Sequence, residues 1–303
     1  MTDDTTGFAT RAVHAARNQG AASSRATPIY LTAGFEFDDF DHAADHFGTG
    51  AGFGYTRTGN PTVSAVERQL AALESAADAV LVASGQAAVV TALLTVAGAG
   101  DHIVASTHIY EGTRGLLLDN LARLGIETTF IDEIADPAAW QAAIRPTTRA
   151  LFAESIANAR NDILDIAAVS AVADEFAIPL IVDNTLATPF LLRPIEHGAA
   201  MVVHSASKFL AGHGSVLGGV ILDDGRFDAD KAGHNAPHLV LPGRGGFPSV
   251  FARHGGNARI AYARESVAPR FGASPSPLNA FLIGQGAETL SLIHISEPTR
   301  PLY

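Results

Sequence analysis

Short apolar runs recur through the middle of the chain, at Ala79–Ala83, His102–Ser106, Glu127–Ile131, Arg149–Ala153, Leu180–Asp183, Met201–His204 and Leu217–Leu222. Each has strand length and most are apolar almost throughout, which predicts strands buried on both faces. Between most of them apolar residues recur at helical spacing, as in Gln86–Val96, Thr113–Leu124, Pro137–Ile144 and Ile166–Phe176. Val63–Ala76, ahead of the first strand, places Val63, Val66, Leu70 and Leu73 on one helical face. Strands alternating with helices predict a mostly parallel sheet with helices on both faces. Ligands of such sheets bind beyond the carboxyl ends of the strands. Ser84, Tyr110, Glu154, Asp183 and Ser205 all lie at or just past such ends.

The flanks are patterned differently. Residues 1–54 are rich in Gly, Ala, Asp and His with weak periodicity, and predict an arm of loops and short pieces. Residues 225–257, rich in Gly, Pro and His, predict a long loop or crossover without clear elements. Ala258–Arg270 has a helical pattern, and Pro275-Ser-Pro277 marks the start of another helix. The run Ile293–Tyr303 departs from that pattern and resembles peptide translated from sequencing-adapter sequence. The natural sequence is therefore expected to be represented only as far as about Leu292, an ordinary irregular tail being the alternative. The expected organisation is an arm over 1–61, a large domain over 62–257, the start of a second domain over 258–292, and a foreign tail.

Composition narrows the function classes. A formal net charge of −11 disfavours nucleic acid and anionic membranes as partners. The absence of cysteine removes disulfides, zinc–thiolate sites and thiol catalysis. The acidic, polar start is unlike a signal peptide, and no apolar stretch approaches membrane-helix length, so the expected setting is cytoplasm. The histidines show no metal-ligand spacing, and no metal is expected.

Lys208 carries the most specific chemistry. It follows an apolar run and two serines, Ser205 and Ser207, and precedes a glycine-rich turn; the chain's other lysine is Lys231. An apolar strand end can desolvate an amine, and hydroxyls can bind a phosphate. A lysine so placed is a candidate Schiff-base nucleophile for pyridoxal phosphate, against the plainer reading of a surface lysine after a buried strand. Asp183, at the end of Leu180–Asp183, would face a pyridinium nitrogen, or else merely form a turn. Ser84-Gly85-Gln86 follows a strand and opens a helix, which suits a phosphate or a simple turn. Tyr110 could stack on an aromatic ring. Gly50-Ala-Gly-Phe-Gly54 has the glycines of a dinucleotide loop without the strand and helix that such a loop needs.

Together these residues resemble the transsulfuration (Cys/Met metabolism) family of pyridoxal-phosphate enzymes, from about Thr10 to Leu292. The resemblance implies an α/β, PLP-dependent transferase fold of type I, preceded by the arm and followed by an incomplete C-terminal domain. Tyr55-Thr-Arg57-Thr-Gly-Asn-Pro-Thr62 is similar to a family motif whose tyrosine and arginine reach the cofactor phosphate of the neighbouring subunit. This implies a homodimer or homotetramer with shared sites. By the same resemblance, backbone amides of Gly85 and Gln86, beside Ser84, bind phosphate, as do the hydroxyls of Ser205 and Ser207. Tyr110 stacks on the ring, Asn158 lies near the phenolic oxygen, Asp183 pairs the ring nitrogen with Thr185 nearby, and Lys208 forms the Schiff base. Ala159 stands where the family usually has proline.

Lys208-Phe-Leu-Ala-Gly-His-Gly214 resembles the branch of O-acetylhomoserine sulfhydrylases, and Gly112 differs from the cysteine usual in methionine γ-lyases. The implied reaction joins O-acetyl-L-homoserine and sulfide into L-homocysteine and acetate, in methionine biosynthesis. Cystathionine γ-synthase or γ-lyase chemistry, or an inactive cofactor-binding fragment, are the alternatives. The family's substrate-carboxylate arginine has no counterpart here, since Arg300 lies in the suspect tail. The chain as written is therefore expected to show little turnover.

Overall fold

The computed structural model describes residues 6–15, 24–49 and 52–296. Seven strands form one sheet: β1 (Asp78–Val82), β2 (His102–Ser106), β3 (Glu127–Ile131), β4 (Thr148–Glu154), β5 (Leu180–Asp183), β6 (Met201–His204) and β7 (Gly219–Asp223). Their order is β1-β7-β6-β5-β4-β2-β3. β7 runs antiparallel to both β1 and β6, and the other pairings are parallel. Two antiparallel steps restore the direction of β1, so the carboxyl ends of β1 to β6 share one edge. All seven predicted strands are present.

The helices are α1 (Phe8–His14), α2 (Phe40–Thr49), α3 (Pro61–Glu74), α4 (Gly85–Val96), α5 (Glu111–Gly115), α6 (Pro137–Ala143), α7 (Ile166–Glu175), α8 (Ala258–Tyr262), α9 (Pro277–Glu288) and α10 (Leu290–Ser296), besides shorter turns. Side chains alternate faces along a strand, so the sheet splits into two cores. Leu81, Val104, Leu151, Val182 and Val202 pack with Val66, Leu70 and Leu73 of α3, Val169 of α7 and Ile283 of α9. Val80, Ile103, Phe152, Ile181 and Val203 pack on the other face with Val89 and Leu93 of α4 and Ile260 of α8. Residues 258–290 thus share their cores with the sheet.

Four sequence expectations need adjusting. The arm contains two real helices, α1 and α2, and residues 225–257 contain the turns Ala229–Ala232, Pro237–Val240 and Val250–His254 around a small core of Phe227, Ala236, Leu239 and Ala258. Four buried residues are too few to create a periodic signal. The Thr113–Leu124 pattern is helical but not uniformly so: α5 passes at Leu116–Leu121 into a wider π-type turn. The pattern does not stop at Leu292: α10 continues to Ser296, where His294 bonds the Thr188 hydroxyl at 2.6 Å and stacks on Phe190. The rest of the suspected tail, Arg300 included, lies outside the described residues, as do Gly50 and Ala51 of the glycine-rich loop.

At the amino-end edge of the sheet, Arg259 of α8 bonds the fully buried Asp223 at 2.8 Å and Asp224 at 2.5 Å. Breaking such a pair leaves a charge without solvent or partner. Arg259→Ala is expected to lower stability by about 3–5 kcal/mol, and Arg259→Met with Asp223→Leu by much less. Urea unfolding of both variants measures this.

Candidate active site

The carboxyl-end edge gathers most of the candidate residues. Ser84 ends the β1 turn and caps α4, its hydroxyl accepting from the Ala87 N–H at 3.1 Å. The first amides of α4, at Gly85 and Gln86, have no intrahelical acceptor and sit at the positive end of the helix dipole. A Cβ at Gly85 would lie 2.6 Å from the Ser205 Cβ, so only glycine lets this turn reach the end of β6. Gly219, which opens β7 between β1 and β6, is held as tightly: a Cβ there would lie 2.0 Å from the Ser84 carbonyl oxygen. Ser205 and the α4 amides are thereby adjacent.

The two serines before Lys208 differ. No hydrogen bond engages the Ser205 hydroxyl among the described residues, whereas Ser207 Oγ accepts from Gly218 N–H at 3.0 Å and donates to Gly218 O at 3.2 Å. Ser207 thus fastens the lysine turn to the start of β7. Lys208 itself is exposed. Its expected desolvation does not follow, because β6 ends at His204 and a turn carries the lysine clear of the apolar strand. Lys231 is also exposed, 3.6 Å from Asp174 of α7.

Asp183, at the end of β5, is part-buried. Its Oδ1 accepts from Thr185 N–H at 2.9 Å and from the Thr185 hydroxyl at 2.5 Å. That hydroxyl accepts in turn from Ser205 N–H at 2.8 Å, joining β5 to β6. No donor among the described residues reaches Oδ2. Burial pushes the Asp183 carboxyl above its ordinary pKa, against the opposing Thr185 bonds and the nearby His204.

Glu154 pairs in register with Asp183 at the end of β4; the sequence places it among the strand-end residues at this edge but assigns it no role. Its carboxyl organises two loops: Oε1 accepts from Tyr110 N–H at 2.7 Å and Oε2 from Asn158 N–H at 2.8 Å. Burial, then repulsion from Asp183, raises its pKa to about 7. Tyr110 is 52% exposed, leaving a ring face available. Gln86 Nε2 donates to Gly112 O at 2.9 Å, tying the α4 turn to the Tyr110 loop.

Tyr55 and Arg57 are not in this hydrogen-bonded group. Arg57 lies 5.4 Å from the Tyr55 ring centroid, and its Nη1 donates to Pro269 O at 3.0 Å. Ser274 binds the Arg57 carbonyl at 2.9 Å. A separate cleft of about 610 Å³, lined by His108, Asp132, Arg160 and Asp162 among others, includes none of the candidate residues. Among the described residues no cluster of three or more acidic or imidazole groups is placed to hold a metal, and no helix is long and apolar enough to cross a membrane.

Residues 9–295 match the family model described as Cys/Met metabolism PLP-dependent enzyme. The chain is 44% identical over 294 residues to an O-acetyl-L-homoserine sulfhydrylase of Corynebacterium glutamicum, covering 95% of this chain and 67% of that one. It is 43% identical over 279 residues to an O-acetyl-L-homoserine sulfhydrylase of Leptospira meyeri, covering 89% and 63%. It thus spans about two thirds of the length of these curated relatives. A crystal structure of an O-acetylhomoserine (thiol)-lyase from Campylobacter jejuni, containing N'-pyridoxyl-lysine-5'-monophosphate, superposes with a TM-score of 0.88 at 33% identity, covering 95% of this chain and 71% of that one.

The Glu154 shift has a direct pH consequence. A carboxyl whose folded pKa lies above its ordinary 4.5 favours the fold fully below 4.5, and that contribution is lost as pH rises through about 7. Relative to Glu154→Gln, the unliganded protein should lose up to about 3 kcal/mol between pH 4.5 and 8. Parallel urea titrations at several pH values check this; a constant difference would contradict it.

Proposed function

The chain belongs to the Cys/Met metabolism family of PLP-dependent enzymes, and from that premise we propose that the protein makes L-homocysteine and acetate from O-acetyl-L-homoserine and sulfide. The observation that carries this reading is the gathering of Asp183, Ser205, the α4 amides and Tyr110 at one sheet edge, close to Lys208, in a chain 44% identical to an O-acetyl-L-homoserine sulfhydrylase. The residues suit pyridoxal 5'-phosphate. A part-buried carboxyl with no donor at Oδ2 suits a protonated ring nitrogen, and helix-terminal amides beside a free hydroxyl suit a phosphate dianion.

In this reading Lys208 would hold the cofactor through its amine, and that amine would carry protons between substrate carbons. Pyridoxal phosphate supplies the electron-withdrawing ring that stabilises negative charge on the substrate. Asp183, fixed by Thr185, keeps the ring nitrogen protonated. Ser84, Gly85, Gln86, Ser205 and Ser207 hold the phosphate, Ser207 by bracing the turn against Gly218. Tyr110, half exposed, would cover the ring, and Asn158, its N–H held by Glu154, would stand on the side of the ring's oxygen. The C–O bond at the γ-carbon breaks with its electron pair leaving on acetate, and hydrosulfide donates the pair of the new C–S bond. Tyr55 and Arg57 would reach the phosphate of a second copy, Arg57 exchanging its Pro269 contact for a bidentate one.

Borohydride reduction of the PLP-loaded protein followed by peptide mapping is expected to place pyridoxyl on Lys208; label on Lys231 or on neither lysine would refute the site. Incubation with O-acetylhomoserine and sulfide is expected to yield homocysteine from a protein extended to the relatives' full length, and little from residues 1–303 alone. Preferential cystathionine formation from cysteine, or elimination without sulfur addition, would move the reading to a cystathionine γ-synthase or γ-lyase.

A further inference from the structure

The strand ends carrying Glu154, Asp183 and Ser205 are joined from behind. Ser155 follows Glu154, Asn184 follows Asp183 and His204 precedes Ser205, and adjacent residues on a strand point to opposite faces. These three therefore face α3, away from the candidate site. There they form one chain with Glu74, the last residue of α3. Ser155 Oγ donates to Asn184 Oδ1 at 2.7 Å. Asn184 Nδ2 donates to Leu192 O at 2.8 Å and approaches Glu74 Oε1 at 3.4 Å. His204 Nε2 meets Glu74 Oε2 at 2.9 Å. All four residues are at most 1% exposed.

Stability alone does not account for this arrangement. Glu74 is a carboxylic acid at the negative end of a helix dipole, and burial pushes its pKa up. His204 Nδ1 is buried with no hydrogen-bond partner. Apolar residues of similar volume hold such an interior as well or better. What the polar chain adds is direction: hydrogen bonds fix distance and angle between strands where dispersion contacts do not.

Resting on the pyridoxal phosphate reading above, we propose that Ser155, Asn184, Glu74 and His204 are positioning residues. They set the spacing of the β4, β5 and β6 ends so that Glu154, Asp183 and Ser205 converge on one bound cofactor. None of them touches the cofactor.

The test titrates pyridoxal 5'-phosphate into the cofactor-free protein and its variants, following the visible absorption of the bound form, with urea unfolding in parallel. His102→Gln is the control. His102 is equally buried and bonds Thr148 at 2.8 Å and Thr129 at 2.9 Å, but it starts β2 at the opposite edge. His204→Gln is expected to weaken binding about tenfold, the equivalent of one buried hydrogen bond, and to shift the visible band. His102→Gln should lose stability with affinity and band unchanged. Should His204→Gln not fold, Ser155→Ala removes only a hydroxyl and is expected to weaken binding about threefold, a fraction of one hydrogen bond. Variants that lose stability while keeping wild-type affinity and spectrum would overturn the positioning role. Wild-type protein that takes up no cofactor would instead refute the reading on which it rests.

Discussion

Asp183 is a carboxyl held at a strand end where protein replaces most of its water, and the local structure has to answer for it. Its one strong neighbour is Thr185, whose N–H and hydroxyl both serve Oδ1. The same hydroxyl accepts from Ser205 N–H, so satisfying Asp183 also locks β5 to β6. Glu154 lies opposite in register, and the two acids raise each other's cost. With Thr185 serving only Oδ1, and no donor among the described residues at Oδ2, this carboxyl suits a protonated ring nitrogen.

Close backbone approach is the second constraint. Gly85 against Ser205 and Gly219 against Ser84 bring the end of β1, the end of β6 and the start of β7 into contact. Because β7 is antiparallel, its first residue reaches the edge where its neighbours end. Larger residues at either glycine would separate the α4 amides from the Ser205 hydroxyl.

Much of this was legible in the sequence, for identifiable reasons. Strands buried on both faces read as unbroken apolar runs, and the residues that close or follow each run mark the carboxyl-end edge; Ser84, Asp183 and Ser205 are marked that way. Glu154 carried the same mark, and its weight became visible only through its bonds to Tyr110 and Asn158. The exposure of Lys208 depends on how a turn leaves β6, which local pattern does not encode. The Glu74–His204 pair spans 130 positions, and each partner alone reads as an ordinary polar residue beside a core. Small helices in the arm and in residues 225–257 had too few apolar positions to show a period.

The account stands most directly on what Asp183→Asn does to the unliganded protein and to its cofactor affinity. The asparagine oxygen can still accept both Thr185 bonds, so shape is kept while the desolvated charge is removed. Unliganded stability at pH 8 is expected to rise by about 1–2 kcal/mol. Affinity for pyridoxal 5'-phosphate is expected to fall at least about tenfold, as a charged pair becomes a neutral contact. Lower stability with undiminished affinity would contradict the claim that this carboxyl is held at a cost for a bound cation.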